Sequence, residues 1–104
     1  MTDRIEKLKE FLKATPNDCF LNHALALEYV KIGDEENARK HFETNLANDK
    51  GYVATYYHLA KLLERIEDKA AAIDIYEKGM EQAKAAKDMH SYSELQSAYE
   101  ELVD

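Results

Sequence analysis

The sequence predicts an all-α protein, on three observations. Half of its 104 residues are Ala, Leu, Glu, Lys or Arg, all strong helix formers. One Pro and three Gly are too few for the turns of a sandwich or barrel. Apolar residues recur at three- and four-residue spacing, in runs separated by short breaks. Residues 3–13 place Ile5, Leu8, Phe11 and Leu12 on one face, and Asp3 with Glu6 reads as a capping box. The break at 14–18 contains Pro16, which disfavours helical backbone in the residue before it, and Asn17 or Asp18 can cap the next helix. That second helix runs from Cys19 to Ile32 and stops at Gly33, which accepts left-handed backbone at little cost. Asp34 opens a third, with Ala38, Phe42 and Leu46 in phase, closed by residues 48–51. A fourth spans Val53 to Ile66, a fifth Lys69 to Ala86 and a sixth Met89 to Val103. Six helices on connections this short pack as antiparallel neighbours.

Charge narrows the function classes. The net charge is −7, with the acidic excess in the middle and tail of the chain. Nucleic-acid binders carry the opposite sign on at least one extended face, and anionic membranes demand the same. Neither partner is expected. The longest uncharged stretch, Gly51 to Ala60, is half of what a membrane-spanning helix needs. The first residues alternate charges and show no apolar run of the signal-peptide kind. A cytoplasmic location is therefore expected. The single Cys19 excludes an internal disulfide and a Cys-based zinc site.

Residues 19–52 and 53–86 align with a shift of 34. Leu25/Leu59, Ala26/Ala60, Ile32/Ile66, Asp34/Asp68, Ala38/Ala72, Glu43/Glu77 and Lys50/Lys84 are identical pairs. Tyr29/Leu63, Lys31/Arg65, Phe42/Tyr76 and Leu46/Met80 are alike in chemistry. Core-type residues and turn caps dominate this set, as a repeated helix–turn–helix requires. Small Ala26, Ala38, Ala60 and Ala72 allow close helix approach, while Tyr29, Phe42, Leu63 and Tyr76 fill the space between. Gly79 inside a helix costs about 1 kcal/mol relative to Ala, which points to close approach of the next helix.

On these residues the chain resembles the tetratricopeptide repeat (TPR) family, of the small stand-alone bacterial type. The resemblance implies an α–α superhelix of antiparallel hairpins in one domain, residues 1–104. Residues 3–18 read as a half repeat, 19–52 and 53–86 as two repeats, and 87–104 as a capping helix. Asn22 departs from the family's frequent Trp, Asn45 from its small residue, and Lys50 and Lys84 from its Pro. In the last helix, His90, Ser93, Glu94 and Ser97 fall at the expected core places, whereas the apolar stripe is Met89, Tyr92, Leu95, Tyr99 and Leu102.

Catalysis finds no support in the pattern. His23, His41, His58 and His90 lack convergent metal-ligand spacing, and the isolated glycines form no phosphate loop. No cofactor or metal is expected, and a non-enzymatic chain is. The resemblance instead implies a concave face lined by the first helix of each repeat. Carried over residue by residue, that face holds Phe20, His23, Leu27 and Lys31 in the first repeat, and Ala54, Tyr57, His58, Lys61 and Arg65 in the second. Helical phase independently sets Leu27 and Lys61, or Lys31 and Arg65, opposite the Tyr29/Leu63 stripe, with Glu64 at the edge of that face. Aromatic groups interleaved with cations suit a peptide or protein segment bearing carboxylates. The alternative is a structural subunit or adaptor, or a homodimer associating through Tyr92, Leu95 and Tyr99 of the last helix. The clamp by which some TPR domains hold chaperone tails is not expected. Its places hold His23, Leu27, His58, Asp88 and Tyr92, none of them the Lys, Asn or Arg it needs.

Overall fold

The computed structural model describes residues 2–104, with six helices in chain order and no strand among them. They are α1 (Thr2–Ala14), α2 (Cys19–Lys31), α3 (Glu35–Asn48), α4 (Val53–Arg65), α5 (Lys69–Ala85) and α6 (Met89–Val103). The chain divides into two compact units, Met1–Asp49 and Lys50–Asp104. In the first, α2 packs on both α1 and α3; in the second, α5 packs on both α4 and α6.

One turn design is used three times. After α2, α4 and α5 the backbone enters the left-handed region for a single residue, at Gly33 (φ 80°), Glu67 (φ 65°) and Lys87 (φ 59°). The next residue, an Asp in each case, donates its N–H back to the preceding helix, Asp34 to Tyr29, Asp68 to Leu63 and Asp88 to Ala83, each at 2.9 Å. Its side chain then caps the next helix by accepting from the N–H of Asn37, Ala71 or Ser91. These orphaned end groups are thereby satisfied from both sides of the turn.

The core of the first unit is Ile5, Leu8, Leu25, Ala26, Tyr29, Ala38 and Phe42. That of the second is Tyr56, Leu59, Ala60, Leu62, Leu63, Ala72, Tyr76, Ala83, Leu95 and Ala98. The four alanines expected at close helix approaches are fully buried. Asn22, at the place of the family's Trp, is also buried. Its amide donates to the carbonyls of Pro16 and Asp18, both at 3.1 Å, and its Oδ1 lies 3.2 Å from His41 Nδ1. A buried amide thus ties the break after α1 to α3, because its hydrogen bonds replace those lost to water.

Several expectations need correction. Helix α1 begins at Thr2, so Asp3 sits inside the first turn and does not cap it. Phe11, placed by periodicity with Ile5 and Leu8, is 59% exposed. Met89, placed on the apolar stripe of the last helix, is likewise exposed. Helix α5 has 17 residues where α3 has 14, and the connection after it is one residue shorter. The repeat spacing therefore grows from 34 to 36 here. At that spacing Tyr92, Leu95, Ala98 and Tyr99 of α6 fall on Tyr56, Leu59, Leu62 and Leu63 of α4. Leu95 and Ala98 are buried, and Tyr92 and Tyr99 half-buried, as that register requires.

Candidate functional site

In the first unit, Phe20, His23, Leu27 and Lys31 recur along one side of α2 at three- and four-residue spacing. Asp18 fixes the start of that helix by accepting from the N–H of Leu21 at 2.9 Å. Phe20 is 67% exposed, while His23 and Leu27 are half-buried. The ring of His23 packs 5.8 Å from that of Phe42, tilted by 56°. Lys31 is exposed, and its ammonium lies 3.1 Å from Glu28 Oε2. The same oxygen accepts from Arg4 at 3.2 Å. Those two cations hold the Glu28 carboxyl below its usual range.

In the second unit the corresponding side of α4 carries Ala54, Tyr57, His58, Lys61 and Arg65. The opposite side is consumed by the core, with Tyr56, Leu59, Ala60 and Leu63 buried. Ala54 and Arg65 are exposed and the other three half-buried. Tyr57 and His58 meet edge to face, centroids 5.6 Å apart. The ammonium of Lys61 stands 5.7 Å from the Tyr57 ring centroid, within cation–π range. It also lies 3.8 Å from Glu64 Oε2. That carboxylate accepts a hydrogen bond from the hydroxyl of Tyr76, a fully buried residue of α5. Burial, joined by the hydrogen bond to Glu64, pushes the Tyr76 phenol far above its ordinary value. Burial lowers the basicity of His58, and Glu94 of α6 partly opposes that.

Glu28, Tyr76 and Glu94 were absent from the sequence-derived face, whereas helical phase had set Glu64 at its edge. Glu28 and Glu64 carried a legible signal, each three residues from the lysine it meets. Glu94 did not, because the lengthened α5 hid the register of α6. Within the second unit Lys61 and His58 thus share their surroundings with the carboxylates of Glu64 and Glu94. The end of α6 adds a shallow recess lined by Ser97, Glu100, Glu101, Val103 and Asp104, also acidic.

Of the self-association residues, Leu95 is buried to 1% exposure, so its side chain is used within the unit. Tyr99 donates its hydroxyl to Glu77 at 3.0 Å. Burial, with help from the charges of Asp49 and Asp18, raises the Cys19 thiol pKa, which disfavours the reactive thiolate. Among the described residues no three His, Cys, Asp or Glu side chains gather as a metal would need. No described helix is long and apolar enough to cross a membrane.

The family model described as Tetratricopeptide repeat matches residues 53–86. A tetratricopeptide repeat domain protein from Salinibacter ruber, solved by NMR, is 40% identical, with 84% of this chain and 88% of that one covered and a TM-score of 0.80. The chain belongs to the tetratricopeptide repeat family. Its fold is also similar to the TPR2B domain of yeast Sti1 in complex with pHsp70, at 16% identity, 95% and 79% coverage and a TM-score of 0.88. PcrH, in complex with the chaperone binding region of PopD, is similar at 14% identity, 98% and 77% coverage and a TM-score of 0.91. No curated protein matches the chain.

Proposed function

We propose that the chain is a non-enzymatic protein-interaction module that takes a peptide or protein segment carrying acidic side chains. The observation that carries this reading is the exposed side of α4, where Lys61 stands over Tyr57 and Arg65 lies one turn further on. Aromatic area at low entropic cost, flanked by cations, is the chemistry that anchors such a segment. Phe20, His23, Leu27 and Lys31 offer the same combination on α2, and Ala54 leaves room for a backbone to approach. The structurally similar TPR2B domain and PcrH were both solved with a protein partner or a segment of one, which supports the class of ligand.

The test is reversal of charge. Lys61→Glu combined with Arg65→Glu should abolish capture of partners that wild type retains from native lysate, identified by mass spectrometry. Helicity by circular dichroism should not change, since neither side chain belongs to the buried set. Equal capture by both proteins would remove α4 from the binding surface.

A further inference from the structure

On each candidate face one lysine is already engaged by a carboxylate of its own helix. In the first unit Glu28 meets Lys31 at 3.1 Å, and in the second Glu64 meets Lys61 at 3.8 Å. Ordinary surface pairs at this spacing are loose, because two long side chains must be held in one geometry. Glu64 differs, since its Oε2 accepts the hydroxyl of Tyr76, a fully buried residue of the neighbouring helix. The carboxylate is therefore fixed to the packed core, while Lys61 reaches it at the outer limit of ion-pair distance and shares its charge with the Tyr57 ring.

We infer that Glu64 is a specificity-determining residue of the α4 face, a resident carboxylate with which an incoming acidic group must compete for Lys61. This rests on the reading of that face as a binding surface for acidic segments. An acidic side chain that approaches Lys61 comes within a few ångströms of a like charge that cannot swing away. Glu64 therefore weakens every carboxylate contact at Lys61 and penalises dense negative charge most. The face is set for a segment with isolated acidic residues and against polyanions. The buried Tyr76 acts here as a positioning residue, because it holds Glu64 in place without touching ligand.

The experiment uses a fluorescein-labelled octapeptide of alternating Glu and Ala, and a neutral counterpart with Gln for Glu, monitored by fluorescence anisotropy. Glu64→Gln keeps an amide oxygen for the Tyr76 hydroxyl and removes only the charge. Affinity for the acidic peptide should rise about two- to fivefold, the size of one exposed charge interaction. Affinity for the neutral peptide should stay unchanged. Adding Lys61→Gln to Glu64→Gln should erase the gain, since the two charges act on one another. Equal affinity of wild type and Glu64→Gln for the acidic peptide would overturn the role of Glu64 alone. A gain that survives loss of Lys61 would overturn it too, by showing a diffuse field effect. Absence of saturable binding by any of the proteins would overturn the binding surface itself, and the role of Glu64 with it.

Discussion

Gly79 shows how closely single residues are specified in the second unit. A Cβ built there would lie 2.6 Å from Cβ and 3.1 Å from Cγ of Tyr56 on α4, and 3.2 Å from Cδ1 of Leu95 on α6. Tyr56 is itself anchored, since its hydroxyl donates to the carbonyl of Lys50 at 2.5 Å. Two opposed effects decide the outcome of Gly79→Ala. Helix propensity favours Ala by about 1 kcal/mol, whereas inserting a methyl into a packed core costs about 1–3 kcal/mol. At 2.6 Å the obstructing atom is a Cβ on an adjacent helix, so relief requires a backbone shift. Packing wins, and Gly79→Ala should lower stability by about 1–2 kcal/mol. Thermal unfolding checks this, because a rise in Tm would mean that α4 and α5 are not held this closely.

At the scale of elements, the repeated turn gives three versions of one backbone conformation with different residues in it. Left-handed backbone disfavours any residue with a Cβ by about 1–2 kcal/mol, and replacement by Gly loses part of that gain through unfolded-state entropy. Gly33 has nothing within 4 Å of its would-be Cβ, so Gly33→Ala meets a pure backbone penalty, about 1 kcal/mol. Glu67→Gly and Lys87→Gly should instead stabilise, by about 0.5 kcal/mol each. Glu67 should yield more, because its negative charge sits at the carboxyl end of α4, where the helix dipole opposes it. Lys87 has the favourable sign at the end of α5 and gives up that benefit when replaced. Urea midpoints of the three variants supply the order, and the reverse ranking of Glu67→Gly and Lys87→Gly would remove the dipole argument. The same turns explain what was legible in the sequence. Asp34 and Asp68 recur at the repeat spacing, and with Gly33 they mark the helix ends to within a residue or two. The register of α6 was hidden, because its shift arises from three added helical residues and one deleted loop residue, which no single motif announces. The candidate faces and their charged residues could be read from helical phase, but the anchoring of Glu64 could not. Phase says which side Lys61 occupies and is silent on a buried Tyr76 that fixes a carboxylate beside it.

Across the whole molecule, acid should act in two separate windows. Burial is the main cause of the lowered basicity of His41 and His58, relative to the usual 6.5. Lys40 and Lys9 add to it at His41, and Glu94 opposes it at His58. A group whose pKa is depressed on folding takes up its proton more readily in the unfolded chain. Stability from the two histidines is thus complete above about pH 6.5 and declines as pH falls below it. Asp34, Asp88 and Glu28 accept hydrogen bonds that lower their pKa values, so their contribution persists to lower pH and is lost below the usual carboxylate range of 3.8 to 4.5. A counter-effect comes from the net charge of −7, since protonation relieves self-repulsion as acid is added. Substitution separates these contributions. His41→Gln with His58→Gln should flatten the decline in urea midpoint between about pH 7.5 and about pH 5, leaving the later acid loss in place. A wild-type midpoint that rises across that first interval would show self-repulsion to outweigh the histidines. An unchanged slope in the double variant would place the titrating groups elsewhere in the chain.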